Sequence, residues 1–255
     1  MPSLAVIILT YNEAAHIAAC LESTAFADQR IIFDSFSTDQ TVQIALAAGA
    51  QVIQHPFEDY ARQRNAALDA VRDQAEWVLF VDADERVTPA LAAEIRQATV
   101  QPGFAGFRIP RHNYIFGRLT RGAGWYPDYQ VRLLRVGAAD YDPAQRVHEV
   151  VRLQGAQGTL IHPLVHYNYR DARQFRDKQR RYSAVEARIL YEQGIVPKPH
   201  TYLSQPLRHF WWRYVTLNGW RDGLHGLRLS ALMAWYELRK TIALRQLWRR
   251  RAESV

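Results

Sequence analysis

The feature that most constrains the fold is an alternation of apolar runs and helix-like segments in the first hundred residues. The continuous apolar run Leu4–Leu9 is typical of a strand buried on both faces. Further strands are predicted at Arg30–Phe33, Gln51–Gln54 and Trp77–Val81. Four helices are also predicted. The first is Glu13–Ser23, capped by Asn12, and the second is capped by Ser37, Thr38 or Asp39 and ends at Ala48 before Gly49. The third is Tyr60–Arg72, and the fourth starts at Thr88-Pro89. This βαβαβαβα order predicts an α/β fold with a parallel sheet covered by helices.

The pattern changes twice after residue 100. Strands are predicted at Phe104–Pro110, Tyr129–Val136 and Arg146–Leu153, separated by loops that contain Gly and Pro. Helices are then predicted at 171–193, about 206–221 and 224–248, with a break at 196–200. We therefore expect an α/β domain over residues 1–170 and a helical appendage over 171–255.

Charge is distributed unevenly along the chain. Residues 1–169 hold 14 basic and 18 acidic side chains, whereas residues 170–255 hold 18 basic and 7 acidic ones. Five of the seven tryptophans also lie in the basic part. A basic, aromatic region suggests a polyanionic partner: nucleic acid, anionic lipid or a phosphorylated glycan.

The chain has a single cysteine and no apolar stretch long enough to cross a membrane. Cys20 alone excludes an internal disulfide and a cysteine-based zinc site, which favours a reducing compartment. The N-terminal apolar run is short and lacks a basic flank, so it predicts a strand and not a signal peptide. No 18 consecutive apolar residues occur, so we expect no standard membrane-spanning helix.

Polar clusters follow three of the predicted parallel strands. They are Thr10–Glu13, Asp34–Asp39 and Asp82–Glu85. Open α/β sheets bind ligands at the carboxyl ends of their strands, so we expect a ligand site at this edge. The glycine-rich dinucleotide and P-loop motifs are absent from the sequence, so a metal ion and arginines would have to neutralise any bound phosphates.

The pair Asp82 and Asp84 is the sharpest chemical signal. Two carboxylates at i and i+2 around a strand end can converge on a hard cation such as Mg²⁺ or Mn²⁺. The structural alternative is that both acids cap the helix that starts after Thr88.

Four motifs together resemble the family-2 glycosyltransferases, which have the GT-A fold. They are I-L-T-Y-N-E at 8–13, D-S-x-S-T-D-x-T at 34–41, Q-R-N at 63–65 and W-V-L-F-V-D-A-D-E at 77–85. Weaker motifs resemble bacterial lipopolysaccharide-core glucosyltransferases that act on the inner-core heptose. These are residues 128–135, 147–149, 166–167 and 222–223 with Gly226.

The resemblance implies a donor site for a UDP-sugar. It assigns nucleotide binding to Thr10, Tyr11, Asn12, Glu13, Asp34 and Ser35, with Arg62 or Arg64 nearby. Asp82 would face the ribose or the sugar, and Asp84 would bind Mg²⁺ or Mn²⁺, which stabilises the leaving UDP. His166 matches a position that supplies a further metal ligand in some GT-A enzymes, although a core histidine is the equal alternative.

The resemblance also implies a catalytic base, because inverting transfer to a hydroxyl requires a carboxylate that accepts the proton. Glu149 in the His148-Glu149 pair matches the region where family members place this group, and Asp128 is the alternative. The structural alternative is that Glu149 is a surface residue on a strand.

The last predicted helix carries an apolar stripe with basic residues on other faces. The stripe is Leu224, Leu227, Ala231, Trp235, Leu238 and Ile242. Such a surface is typical of a helix that lies on an anionic membrane, and equally of a helix that packs on its own protein.

Taken with these observations, the resemblance implies an inverting, metal-dependent glycosyltransferase. It would move a hexose, with glucose as first candidate, from a UDP-sugar to a lipid-anchored glycan, the lipopolysaccharide inner core. We expect a cytoplasmic protein bound peripherally to the inner face of the cytoplasmic membrane, with no nucleic-acid partner. The alternatives are transfer to polyprenyl phosphate or to a capsular or exopolysaccharide acceptor, and a non-catalytic polyanion-binding protein.

Overall fold

The computed structural model describes residues 1–143 and 150–253. The chain forms two compact units. The first, the sheet unit, contains residues 1–111 and 129–166. The second, the helical unit, contains residues 112–128 and the chain from Tyr167 onward.

The sheet unit is built around the four predicted parallel strands. They are β1 (Leu4–Thr10), β2 (Gln29–Asp34), β3 (Gln51–Gln54) and β4 (Trp77–Asp82). They lie in the order β3-β2-β1-β4, and every neighbouring pair is parallel. The predicted α/β class is therefore confirmed.

Four helices connect and cover these strands. They are α1 (Ile17–Ser23), α2 (Thr41–Ala47), α3 (Tyr60–Ala70) and α4 (Pro89–Thr99). The start of α4 agrees with the prediction, because the Thr88 hydroxyl accepts a hydrogen bond from the Leu91 amide. The predicted cap at Asn12 is wrong. This residue has φ of 58°, and its side-chain oxygen accepts a hydrogen bond from the Thr38 amide at 2.8 Å instead.

The remaining strands pair mostly in antiparallel fashion. They are β5 (Glu85–Arg86), β6 (Phe104–Ile115), β7 (Arg118–Leu119), β8 (Tyr129–Arg135), β9 (Ala139–Tyr141), β10 (Val151–Leu153), β11 (Ala156–Thr159) and β12 (Leu164–Tyr169). The order continues from β4 as β8-β6-β12-β5, whereas β9 and β10 pair separately. The strand predicted at Arg146–Leu153 falls partly outside the described residues, and its described part is β10.

The continuous apolar run of β1 fills two cores. Leu4, Val6 and Ile8 pack on one face of the sheet with α1 and α4. Ala5 and Ile7 pack on the other face with α3. Alternate side chains of a strand point to opposite faces, so a strand covered on both sides must be apolar throughout.

The helical unit contains three long helices. They are α5 (Ala172–Glu192), α6 (Thr201–Trp211) and α7 (Gly223–Glu253). A π-helical turn at Trp212–Thr216 and a 3₁₀ turn at Gly219–Asp222 join α6 to α7. The predicted helix at 206–221 is therefore wrong at both ends, since α6 begins earlier and its continuation changes helical type. No helix in residues 1–143 and 150–253 combines the length and the apolar character that a membrane crossing needs.

The predicted apolar stripe of α7 is largely exposed. Leu224 is 83% exposed, Trp235 53% and Leu227 38%. The helix instead buries a different face, with Leu229, Tyr236 and neighbouring side chains in the core of the helical unit. The stripe thus lies outside the core of this unit.

Candidate active site at the carboxyl edge of the parallel strands

The register of the parallel strands brings the three predicted polar clusters to one edge. Thr10 on β1 lies opposite Asp34 on β2, and Leu9 on β1 lies opposite Asp82 on β4. The expected juxtaposition of these clusters is confirmed. The clusters meet because neighbouring parallel strands end beside one another at the same edge of the sheet.

Asp34 is fully buried among neutral donors. Its carboxylate accepts hydrogen bonds from the Thr10 hydroxyl at 2.9 Å and the Ser37 amide at 2.8 Å. The Ser37 hydroxyl and the Gln54 amide group are further donors. These bonds satisfy the buried oxygens, and they leave Asp34 without an ion pair in the described part of the chain.

The loops after β1 and β2 are tied to each other. The Asn12 amide donates to the Ser37 hydroxyl at 2.9 Å, and the Glu13 amide donates to the Thr41 hydroxyl at 2.8 Å. The side chain of Tyr11 between them is 60% exposed. The two loops thus form a rigid rim from which an aromatic ring projects.

Gln63, Arg64 and Asn65 on α3 each anchor a different segment. Gln63 donates to the Ser35 hydroxyl at 3.2 Å. Asn65 makes two hydrogen bonds of 2.8 Å with the backbone of Tyr141. Arg64 lies 3.7 Å from the Asp82 carboxylate. The conspicuous Q-R-N motif is therefore a set of three fixed contacts from one turn of helix.

The structure distinguishes the two arginines that the sequence left open. Arg64 is buried and joins the Asp82 cluster. Arg62 is half exposed and pairs with Glu58 and Asp59 at the start of its own helix. Only Arg64 of the two contacts Asp82.

Asp82 is held by arginine. Both its oxygens accept hydrogen bonds from the Arg132 guanidinium on β8. Burial alone would raise the pKa of Asp82, but the charges of Arg132 and Arg64 outweigh it and hold the pKa well below its usual range. Asp82 is therefore a fixed carboxylate whose oxygens are already bonded.

Glu85 is the buried support of this cluster. It is fully buried, and its Oε2 accepts a hydrogen bond from the Asp82 amide at 2.9 Å. Its Oε1 lies 3.3 Å from both Arg132 and Arg111. Sequence reasoning gave no role to Glu85, Arg111 or Arg132. The available signal was an arginine, Arg132, between the apolar residues Val131 and Leu133.

Asp84 faces His166. In the antiparallel pairing of β5 with β12, His166 lies opposite Glu85, the neighbour of Asp84. The Asp84 Oδ2 and His166 Nε2 atoms are 3.5 Å apart, and their side chains are 25% and 10% exposed. The structure therefore brings together the two residues that the sequence analysis assigned to a metal ion.

The donor set of this pair suits Mg²⁺ or Mn²⁺. A carboxylate oxygen and an imidazole nitrogen are both ligands of Mn²⁺, and Mg²⁺ is commonly held by one or two carboxylates together with substrate phosphates. Groups of three or more His, Cys, Asp or Glu side chains that could hold a metal ion are not found in residues 1–143 and 150–253. Arg132 already bonds both oxygens of Asp82, so Asp84 and His166 are the better candidates for metal ligands.

The proposed base cannot be placed, since His148 and Glu149 lie outside the described residues. The alternative, Asp128, belongs to the helical unit. Its carboxylate accepts a hydrogen bond from the buried Asn113 side chain at 3.0 Å. Asn113 also donates to the Trp125 carbonyl at 2.8 Å, so it ties Asp128 to its own loop.

Comparison with known proteins places these features in a family. The model of glycosyl transferase family 2 matches residues 5–144. The lipopolysaccharide core biosynthesis glycosyltransferase LpsC of Rhizobium meliloti is 29% identical over 88% of this chain and 84% of LpsC. An uncharacterized glycosyltransferase of Rickettsia prowazekii, RP128, is 33% identical over 56% of this chain, which spans only 42% of that protein.

A solved structure shows a more distant likeness. It is glucosyl-3-phosphoglycerate synthase from Mycobacterium tuberculosis in complex with Mn²⁺, UDP and glucosyl-3-phosphoglycerate. The identity is 23%, the TM-score is 0.37, and the match covers 42% of this chain and 43% of that chain. At this level the likeness carries no information about the ligands of the present protein.

Proposed function

Because the chain belongs to glycosyltransferase family 2, we propose that it transfers a hexose from a UDP-sugar to a lipid-anchored glycan by an inverting, metal-dependent reaction. Glucose is the first candidate for the sugar and the lipopolysaccharide inner core for the acceptor. The similarity to LpsC over most of both chains supports this acceptor class.

The main support for the donor site is the Asp84–His166 pair, which lies at the same edge of the sheet as Thr10, Asp34 and Asp82. Asp84 and His166 would hold Mg²⁺ or Mn²⁺, which supplies neutralisation of the diphosphate as it leaves. The rim of Thr10, Tyr11, Asn12 and Glu13, with Asp34 and Ser35, would bind the uridine.

Asp82 positions the sugar or the ribose in this proposal. Arg132 holds its carboxylate and Glu85 its backbone amide before any ligand arrives, so little ordering is needed on binding. Arg64 adds a positive charge beside it. This arginine is the better candidate of the original pair for contact with the nucleotide region.

The reaction also requires proton removal from the acceptor hydroxyl. Glu149 is the proposed base, and Asp128 is the alternative. To separate them, we would compare Glu149→Gln with Asp128→Asn. The variant that lacks the base should bind UDP with Mn²⁺ normally and fail at transfer. Near-normal turnover in both variants would contradict both assignments.

The first experiment tests the donor site by thermal shift with UDP-glucose, with and without Mn²⁺. A ligand at ~100 Kd adds about 2.7 kcal/mol to the free energy of unfolding, which gives a readable shift. Asp84→Asn should abolish the metal-dependent shift. The matched control is Asp69→Asn, which removes an exposed carboxylate from the same unit. An unchanged shift in Asp84→Asn would contradict the metal assignment.

The same experiment separates the alternatives. A panel of UDP-, GDP- and ADP-sugars identifies the donor, and transfer assays on core glycan, polyprenyl phosphate and capsular glycan identify the acceptor. The absence of any nucleotide-sugar shift, together with salt-dependent binding of polyanions, would favour a non-catalytic polyanion-binding protein.

We further propose peripheral binding to an anionic membrane face through the exposed stripe of α7. Its apolar side chains protrude beside Arg228 and Arg239, which suits an interface with acidic lipids. Leu224→Ser combined with Trp235→Ser should release the protein from acidic liposomes in a flotation assay. Leu203→Ser with Leu207→Ser on α6 is the control, because these side chains are also exposed. Equal flotation of both variants would contradict the assignment.

A further inference from the structure

Two short segments of the helical unit are pressed together at the start of α7. One is the loop that follows β7, from Thr120 to Gly124, and the other is the 3₁₀ turn at Gly219–Asp222. The Asp222 carboxylate accepts hydrogen bonds from the Arg121 amide at 3.0 Å and the Gly122 amide at 2.8 Å. The Thr120 hydroxyl and His225 Nε2, both buried, are 3.1 Å apart. Five polar groups thus fix the loop against the turn.

Glycines make this close approach feasible. A Cβ atom on Gly122 would overlap the Asn218 carbonyl, and one on Gly226 would overlap the Gly219 carbonyl. Asn218 and Ala123 at this junction also have positive φ, of 54° and 53°. Backbone strain of this kind is concentrated at functional sites. This packing also accounts for the Asp222-Gly223 motif with Gly226, which the donor and metal sites do not use.

The junction forms one side of a depression of about 330 Å³. It is lined by Arg118, Leu119, Arg121, Arg221, Asp222 and His225. Three guanidinium groups therefore surround one carboxylate, and that carboxylate is already bonded to backbone amides. None of the three arginines forms an ion pair with a carboxylate in the part of the chain that the structure describes.

Other features of the depression add to its positive character. The helix α7 begins at Gly223, so the positive end of its dipole lies at the rim. Burial, with a further contribution from Arg118, lowers the pKa of His225, so this side chain is a neutral hydrogen-bonding group. The flanking side chains Trp220 and Leu224 are 53% and 83% exposed. A cationic depression thus lies beside exposed apolar groups.

We propose that the depression lined by Arg118, Arg121 and Arg221 binds a phosphate monoester. Guanidinium groups bind phosphate oxygens bidentately, and three of them can neutralise the dianion. The fixed backbone of the junction holds the arginines near one another before the ligand arrives, which lowers the entropy lost on binding. The phosphate can be carried by a soluble sugar or by a lipid headgroup, and the exposed Trp220 and Leu224 would contact the apolar part of the latter.

The test removes the three charges together. The variant is Arg118→Gln, Arg121→Gln and Arg221→Gln, and the control is Arg173→Gln, Arg176→Gln and Arg180→Gln, which removes the same charge from exposed positions on α5. Binding is measured in 150 mM salt to glucose 6-phosphate, with glucose as the neutral comparison. It is also measured to phosphatidylcholine vesicles with and without phosphatidic acid. UDP with Mn²⁺ is titrated in parallel.

The pocket variant should bind at least about tenfold more weakly to glucose 6-phosphate, to phosphatidic acid vesicles, or to both, because each charge-assisted hydrogen bond contributes more than a factor of ten. A loss of affinity for glucose 6-phosphate identifies the ligand as a soluble sugar phosphate. A loss of affinity confined to phosphatidic acid vesicles identifies it as a lipid headgroup. Equal binding by the pocket and control variants overturns the proposal. An equal loss of UDP affinity in the pocket variant also overturns it, since the pocket would then belong to the donor diphosphate.

The single variants keep the test decisive if the triple variant does not fold. Each of Arg118→Gln, Arg121→Gln and Arg221→Gln should weaken phosphate binding, whereas Arg173→Gln should not. The measurement requires no turnover, so it can succeed or fail independently of the proposed transfer reaction.

Discussion

Two clusters of arginines, one in each unit, have opposite surroundings. In the sheet unit, the buried Arg64 and Arg132 and the partly buried Arg111 all lie beside the carboxylates of Asp82 and Glu85. In the helical unit, Arg118, Arg121 and Arg221 are exposed around one depression and lack ion pairs within the described residues. Arginines whose charge the chain already neutralises serve to position its own acids, whereas arginines without such partners are available to an external anion.

Burial explains why the first set must be neutralised. A charge removed from water costs several kcal/mol unless an opposite charge and hydrogen bonds compensate it. Glu85 is fully buried and Arg132 nearly so, and the two side chains are joined by a hydrogen bond of 3.3 Å. The exposed arginines of the helical unit keep their hydration, so the fold can leave them without carboxylates at little cost.

The largest expected effect is that of Arg132→Met. It leaves buried Glu85 with Arg111 and Asp82 with Arg64, and breaking a buried pair in this way costs about 3–5 kcal/mol. Urea unfolding followed by circular dichroism measures this loss. The control Arg135→Met lies on the same strand but is exposed, and its effect should stay within about 0.5 kcal/mol. Similar losses in both variants would contradict the structural role of the buried cluster.

Gly226→Ala should have the next largest effect. It leaves every arginine in place but forces apart the junction that holds Arg121 and Arg221, because the added methyl group overlaps the Gly219 carbonyl. We expect a loss of about 1–3 kcal/mol in the free energy of unfolding. Phosphate affinity should fall with it.

Gly117→Ala is the control for this substitution. It also adds a methyl group, but nothing lies within 4 Å of the added atom, and only the positive φ of 73° is strained. It should leave phosphate binding unchanged. If Gly226→Ala bound phosphate like the unaltered protein, the geometry of the junction would not matter to the pocket.

The sequence predicted the parallel half of the sheet well because its signals are local. The apolar runs Leu4–Leu9 and Trp77–Val81 mark β1 and β4, which are buried on both faces, and β3 occurs at the predicted residues. Parallel strands that end together also place Thr10, Asp34 and Asp82 at one edge without any long-range information. The fold class and the location of the candidate site were therefore accessible.

The buried ion pairs that support the site could not be predicted from the sequence in the same way. Glu85 and Arg132 meet across 47 positions of the chain, and neither has a local pattern that names the other. The predicted cap at Asn12 failed for a related reason, since its oxygen bonds to a loop 26 residues away. Helix-capping propensity depends on the nearby sequence, so it cannot predict that a distant residue will compete for the capping side chain.

The substitution Asp28→Asn tests an exposed ion pair, for comparison with the buried ion pairs. Asp28 accepts hydrogen bonds from Arg96 and from the Leu4 amide, which lower its pKa in the folded state. Its side chain is 48% exposed, so solvent screens the pair and the loss should be under about 1 kcal/mol at neutral pH.

The pH dependence of this loss has a definite sign. The unfolded carboxyl titrates near pH ~4, and the folded one titrates lower. The contribution of Asp28 is therefore fully present above pH ~4 and disappears as the pH falls through the folded pKa. The difference in unfolding free energy between the two proteins should shrink over that interval. A difference that grew toward acid pH would contradict the assignment.

The smallest effect on stability is expected from the triple replacement of Arg118, Arg121 and Arg221 by Gln. Exposed side chains without ion pairs contribute little to folding, so each substitution should change the free energy of unfolding by no more than about 0.5 kcal/mol. A loss of several kcal/mol would mean that these arginines support the fold as Arg132 does. A neutral result combined with lost phosphate affinity would mean that the same side chain stabilises the fold in one unit and serves only ligand binding in the other.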